Sequence, residues 1–269
     1  MSGELSGKVA LVTGGSGSLG RAFCRLFLEE DAKVCILDNN LERLEVLEKE
    51  LSPDLDENKF QSVNVDVRDT QKVNQAFKAC LDDFGRLDIL VDNAAVTQIK
   101  PIDKISDEDI DYLIDINLKG YIKCAREAVR IMKDQGTGGS LLFVSSKNGL
   151  VGAADKSLYV ATKGGMLTLA RGLAMELGKY GIRVNSLCPD AVLEESQLWA
   201  AGGGYLEGTA KRYNISIEEI PEYYRNRCAL KTNIESKDVA EAALFLVSDR
   251  SSKMTGNIFT VDGGVAFVR

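Results

Sequence analysis

Tyr159 and Lys163 stand four residues apart in Tyr159-Val160-Ala161-Thr162-Lys163. On a helix that spacing puts phenol and ammonium on one face. A phenol is a poor acid or base near neutrality, but a cation held beside it favours the phenolate and lowers its pKa toward the working range. Ser146, 13 residues upstream, follows the apolar run Leu141–Val144 and can donate to the same substrate oxygen. Asn117, in Asp115-Ile116-Asn117-Leu118, can join a proton relay through water. The chain has no histidine. A Ser-His-Asp triad, a His-ligated zinc and an imidazole base are therefore excluded, and acid/base work falls to Tyr, Lys, Asp, Glu or Cys. No metal site is expected. The cysteines at 24, 35, 80, 124, 188 and 228 form no Cys-x-x-Cys pair and read as buried, reduced thiols.

A second group of residues addresses phosphate. Thr13-Gly14-Gly15-Ser16-Gly17-Ser18-Leu19-Gly20 follows the apolar Val9–Val12 and opens onto the helical Arg21–Phe27. Glycines let the backbone pass close to a pyrophosphate, while free N–H groups and the positive end of the helix dipole face its charge. Gly14, Ser16, Ser18, Leu19 and Gly20 are the candidate contacts. About 20 residues beyond the turn, the next apolar run ends in Leu37-Asp38, where a carboxylate can accept from the adenosine ribose hydroxyls, with Asn39 beside it. That charge repels a 2′-phosphate, and neither Lys nor Arg occurs among Asn39, Asn40, Leu41 and Glu42, so the expected cofactor is NAD. Asp66 and Val67 can hold the adenine by its amino group and an apolar wall.

Stepping these groups into place requires alternating strands and helices. Val9–Val12, Val34–Leu37, Leu87–Val91, Leu141–Val144 and Val184–Leu187 are too short for helices and too continuously apolar for half-exposed strands. Helical stretches lie between them at about 19–30, 40–51, 70–84, 107–134, 156–179 and 237–248. The alternation predicts an α/β fold, a doubly wound parallel sheet whose ligand lies beyond the carboxyl ends of the strands. With 269 residues, 45% of them hydrophobic, one domain spanning 1–269 is expected. Asp190 to Ile234 shows no strand pattern and reads as a substrate lobe, about 190–234. A net charge of −7 and the absence of a basic run argue against nucleic acid. No run approaches 18 apolar residues, and Met1–Leu5 lacks the apolar stretch of a signal peptide, so no membrane association and a cytoplasmic location are expected.

Taken together, Thr13-Gly14 through Gly20, Asp38, Asp66-Val67, Asn93-Ala94, Asn117, Ser146, Tyr159, Lys163, Pro189 and Thr255-Gly256 to Val261-Asp262-Gly263-Gly264 resemble the short-chain dehydrogenase/reductase family over essentially the whole chain. The resemblance implies a single Rossmann-type domain with about seven parallel strands and helices on both faces. It also implies a homotetramer or homodimer that moves hydride between nicotinamide C4 and an alcohol or carbonyl carbon. Tyr159 would be the acid/base and Lys163 would lower its pKa and bind the nicotinamide ribose. Ser146 would orient the substrate oxygen and Asn117 support the relay. Asn93, Ala94, Pro189 and the backbone of Val192 would join the cofactor site. Four departures stand out: Ser18 in a usual Gly position of the turn, Asp92 and Ala95 in place of the usual Asn-Asn-Ala-Gly pattern, Asp190 after Pro189, and Glu194 in place of a Thr that meets the carboxamide.

Gln98, Lys147, Asn148, Asp155 and Glu194-Glu195-Ser196-Gln197 are polar where a steroid or fatty substrate would want Leu, Phe and Met. Trp199 reads equally as a lid anchor or as an interface residue. Ser145–Gly149, Cys188–Leu193 and Ile220–Leu230 are further similar to the dehydrogenase half of rhamnulose-phosphate aldolase/alcohol dehydrogenase fusions, and to sorbitol-phosphate dehydrogenases. These features predict NAD-linked oxidation or reduction of a sugar, polyol or hydroxyaldehyde, phosphorylated or not, with Lys147 a candidate for the anionic group. The alternatives are a reductase of another carbonyl class, such as 3-oxoacyl thioesters, and a non-catalytic dinucleotide-binding sensor.

Overall fold

The short apolar runs become the core of one sheet. The computed structural model describes residues 3–52, 56–193, 199 and 204–266. Its strands are β1 (Val9–Thr13), β2 (Lys33–Asp38), β3 (Phe60–Asn64), β4 (Ile89–Asp92), β5 (Gly139–Val144), β6 (Ile182–Pro189) and β7 (Ile258–Val261). All pair in parallel, in the order β3-β2-β1-β4-β5-β6-β7. The helices are α1 (Ser18–Glu29), α2 (Leu41–Leu51), α3 (Thr70–Phe84), α4 (Asp107–Ile114), α5 (Tyr121–Gln135), α6 (Ser157–Leu177), α7 (Tyr205–Tyr213), α8 (Ile220–Arg227) and α9 (Ser236–Val247).

Strand alternation divides the core into two layers. Ala10, Val12, Val34 and Ile36 pack with Phe23 and Phe27 of α1, Leu44 and Leu47 of α2 and Val239 and Ala243 of α9. Val9, Leu11, Cys35 and Leu37 point the other way, onto Phe77 of α3, Cys124 of α5 and Met166 of α6. Burial on both faces explains why the central strands read as unbroken apolar runs. The edge strand β3, Phe60-Gln61-Ser62-Val63-Asn64, is only partly buried and correspondingly polar.

The expected helix over 107–134 is two helices joined by a π-helical turn, Asp115–Gly120. Ser106 and Asp109 form a capping box at its start. The 190–234 region carries α7 and α8 around Ala210, Ile220 and Tyr224, and its ends are pinned by a parallel bridge between Val192 and Ile234. All six cysteines are buried and free. Among the described residues no helix is long and apolar enough to cross a membrane.

Arg183 of β6 ties α9 to the sheet. Its guanidinium donates to the carbonyls of Leu246, Val247 and Ser248 and to the Ser251 hydroxyl, at 2.9–3.2 Å. Those carbonyls close the last turn of α9, where no further helical donor exists. Arg183→Leu is expected to cost about 2–4 kcal/mol and to lower Tm by roughly 5–10 °C in thermal denaturation.

Candidate active site

The glycine turn is shaped by close backbone approaches. Gly14 has φ +62°, and a Cβ there would lie 2.9 Å from the Ala94 Cα; at Gly20 a Cβ would lie 2.1 Å from the Gly14 carbonyl oxygen. Gly17 caps α1 without a side-chain acceptor, and no acidic residue occupies the first turn of that helix. The positive end of the α1 dipole therefore meets no acidic side chain in its first turn, as suits an anion above it. Gly14, Gly17, Ser18 and Leu19 line the cavity above the turn. Gly20 instead lets α1 close onto the turn. Ser16 also differs from expectation: its N–H is taken by Asp38 at 3.1 Å and its hydroxyl is buried without a partner, so it braces the carboxylate rather than lining the cavity. The other Asp38 oxygen accepts from the Asn40 amide at 3.0 Å. Helix α2 is capped by Asn40, not by Asp38.

The end of β4 is bolted to the same turn. The Asn93 side-chain amide donates to the carbonyls of Thr13 and Gly14, both at 3.1 Å. The Thr13 hydroxyl accepts from the amides of Asn93 and Ala94 and donates to Asp92 at 2.8 Å. Asp92, one of the departures, is wholly buried; its second carboxylate oxygen has no partner. Burial pushes its pKa up to about 7, against the pull of the Thr13 hydrogen bond and Lys163.

Ser146 sits just past β5, with Tyr159 and Lys163 on the first turns of α6, and all three line the cavity. Ser146 accepts from the Asn148 amide at 3.1 Å and faces the Tyr159 phenol. The Lys163 ammonium donates to the Val144 carbonyl at 2.9 Å and lies 5.8 Å from the centre of the Tyr159 ring. The expectation of a lowered phenol pKa is corrected here. Burial raises Tyr159 to about 12 and outweighs the opposing Ser146 hydrogen bond, while burial lowers Lys163 to about 7. Partial withdrawal of Tyr159 from water, and the fuller burial of Lys163, disfavour the charged form of each. Asn117 is likewise not free to relay protons through its side chain. Its amide oxygen accepts from the Val96 amide, and its nitrogen donates to the Val96 carbonyl and to Thr162, so it clamps the loop after β4 onto α6. A π turn at such a place widens the helix where a side chain must reach across.

The cavity measures about 1060 Å³, more than one small substrate needs and enough for an extended dinucleotide beside it. It runs from Asp38, Asn39, Asp66 and Val67 past Asn93 and Ala94 to Ser146 and Tyr159, then on to Pro189, Val192 and the α7–α8 lobe. Lys147, Asn148 and Trp199 line it as expected, but Gln98 and Asp155 are not among its wall residues. Glu194 to Gln197 lie outside the described residues. Lys147 is not available as a free anion binder: its ammonium meets Asp190 at 3.2 Å, with both side chains under 10% exposed. That pair accounts for Asp190 where the resemblance led to glycine. Arg43 also faces the cavity and was not identified from the sequence, whereas Lys156, Tyr205, Arg212, Tyr213, Tyr224 and Arg227 fall in segments expected to choose the substrate, Ala153 to Lys156 and Ala191 to Leu230, without having been singled out there as wall residues. Arg43 lies one residue beyond the window read after Asp38, and the others sit in a segment without a motif of fixed spacing.

The family model for short chain dehydrogenase matches residues 8–199. The chain belongs to the short-chain dehydrogenase family. This dehydrogenase is 40% identical to an uncharacterized oxidoreductase of Bacillus subtilis over 99% of its own length, and spans 39% of that longer relative. It is 31% identical to an L-rhamnose-1-dehydrogenase of Scheffersomyces stipitis, covering 98% of both chains. The crystal structure of a sorbitol-6-phosphate 2-dehydrogenase from Erwinia amylovora superposes with a TM-score of 0.90 at 31% identity, covering 96% of this chain and 99% of the other. The fold therefore implies a nicotinamide dinucleotide, and the close approaches at Gly14 and Gly20 keep the turn tight against the end of β4 and the start of α1.

The buried Asp92 of this dehydrogenase gives a pH signature. With a raised pKa the folded form keeps a proton that the unfolded chain has lost, so the contribution of Asp92 to stability falls as pH rises from the ordinary carboxylate range to about 7. Relative to wild type, the Tm of Asp92→Asn is expected to rise steadily between pH 4 and pH 7 and to level off above pH 7, as calorimetry over that range would show.

Proposed function

We propose that the protein is an NAD-dependent dehydrogenase of a small hydroxylated substrate, a sugar, polyol or hydroxyaldehyde. The observation that carries the reading is the composition of the cavity beyond Tyr159. Its far wall carries Trp199, Tyr205, Tyr213, Tyr223 and Tyr224 interleaved with cationic side chains, and its aliphatic residues there, such as Val151 and Ala191, are small. Aromatic faces with phenolic hydroxyls suit a molecule with both C–H faces and hydroxyls. The names of the rhamnose and sorbitol-phosphate relatives point to the same class. Asp38, whose two oxygens are held by the Ser16 and Asn40 amides, supports NAD over NADP through its charge. The cytoplasmic setting and the homodimer or homotetramer implied by the family resemblance belong to the same reading.

In this reading the cofactor supplies a hydride acceptor at nicotinamide C4. Tyr159 takes the substrate hydroxyl proton as the hydride leaves, or returns it in the reverse direction, and Ser146 holds the same oxygen. Lys163, anchored on the Val144 carbonyl, stabilises the phenolate when charged. The side chain of Asn117 serves by position, holding Val96 and Thr162, which leaves any share in the proton relay to its backbone.

A screen at 340 nm with NAD and NADP against polyols, aldoses, ketoses, their phosphates and lactaldehyde tests the reading, and NADH formation on this class is the expected result. Tyr159→Phe should lower kcat by 10²-fold or more while leaving NAD binding intact. The oxidative kcat/KM should rise with pH above neutrality, because the phenol, pushed up to about 12, must lose its proton. Asp38→Ser should raise KM for NAD and lower that for NADP; a wild-type enzyme turning over only with NADP would overturn the cofactor assignment.

A further inference from the structure

Beyond Tyr159, the far end of the cavity is strongly electropositive. Lys147, Lys156, Arg212 and Arg227 line it against a single carboxylate, Asp190, among the described residues. The Lys147–Asp190 pair is internally neutralised. Three cations remain. Lys156 is buried just before α6, one turn ahead of Tyr159, and its ammonium donates to the Tyr205 hydroxyl and lies 4.6 Å from the centre of that ring. Arg212 ends α7 and Arg227 ends α8; both are half-buried, stack on tyrosines at 5.1–5.6 Å and have no ion pair among the described residues. Their neighbours Lys211 and Arg225 point outward into solvent and can serve the helix C-termini there. Turning Arg212 and Arg227 inward toward a buried lysine instead carries a repulsive cost. Burial first, then Arg212, Lys147 and Arg227, bring the Lys156 pKa down to about 8.

Cations brought together without a matching anion mark a site for one. We propose that Lys156, Arg212 and Arg227 bind the phosphate monoester of a phosphorylated sugar or polyol, with the hydroxyl to be oxidised lying at Ser146 and Tyr159. Three positive charges match a group that carries close to two negative charges at neutral pH. None of the three belongs to the glycine turn, so the site is separate from that of the cofactor pyrophosphate. The Lys147–Asp190 pair forms its inner wall, which assigns Lys147 to positioning and moves anion recognition to the lobe. The proposal rests on the dehydrogenase reading only for the orientation of the substrate.

Trp199, the only tryptophan in the chain, meets Tyr205 edge-to-face at 4.9 Å and Tyr224 at 5.5 Å, and reports on this end of the cavity without turnover. Its fluorescence would be followed during titration with sorbitol 6-phosphate, sorbitol, gluconate and inorganic phosphate in the full-length protein. The expected result is a saturable change with sorbitol 6-phosphate and with inorganic phosphate and none with sorbitol. Arg212→Gln and Arg227→Gln should each weaken Kd by tenfold or more, with NAD affinity and Tm unchanged. Lys156→Met provides a third, independent variant. Equal responses in wild type and variants, or a stronger response to gluconate than to the phosphates, would overturn the phosphate assignment. Where turnover is found, KM for the phosphorylated substrate should rise tenfold in the arginine variants with kcat preserved. Turnover of unphosphorylated polyols with equal kcat/KM would sink the anion site and leave the dehydrogenase reading intact. Phosphate binding lost in the variants without turnover of any polyol would do the reverse.

Discussion

The chemistry of this protein depends on the clasp between the carboxyl ends of β1 and β4. From these neighbours the chain winds outward in opposite directions, β1 toward β2 and β3, and β4 toward β5, β6 and β7. That reversal opens the crevice in which ligands of such sheets bind. Thr13 and Asn93 hold it at a fixed width, each bonding across to the other strand. The dinucleotide turn is suspended from one side of this clasp, and the loop that Asn117 grips leads away from the other. Asp92 is the expensive part of the arrangement, a carboxylate in the dry interior whose second oxygen meets no donor.

Lys163 is buried beneath the cavity wall and Tyr159 is half-buried in it. Helix α6 brings them onto one face, as their spacing implies, but the side chains enter a region where charge of either sign is disfavoured. The protein frame therefore holds a neutral phenol and a weakly basic amine in readiness.

The sheet and its helices were legible because burial on both faces leaves no ambiguity of period, as in Val34-Cys35-Ile36-Leu37. Strand β3 was less visible because an edge exposes one side to water and mixes Gln61 and Ser62 into the run. The turn, Asp38, Ser146, Tyr159 and Lys163 were legible because each is fixed by local geometry at constant spacing. Sequence alone did not place Arg212, Arg227 or the tyrosine wall, since these reach the cavity through two short helices whose docking depends on the tertiary fold. The roles expected of Lys147 and Asn117 changed for a shared reason. Each has a partner distant in sequence, Asp190 and Val96 respectively, and that partner occupies the group expected to be free.

The Lys147–Asp190 pair also shapes how the protein can diverge. Two opposite charges packed side by side in the cavity wall tolerate each other, yet loss of either leaves the other largely buried and unpaired, at a cost of up to about 3 kcal/mol. A lineage leaving this arrangement one substitution at a time must pass through an intermediate that has lost much of its folding margin. The two positions, 43 residues apart in the chain, are energetically coupled. The shape of this part of the cavity wall is thus fixed by a coupling of folding stability between two distant positions.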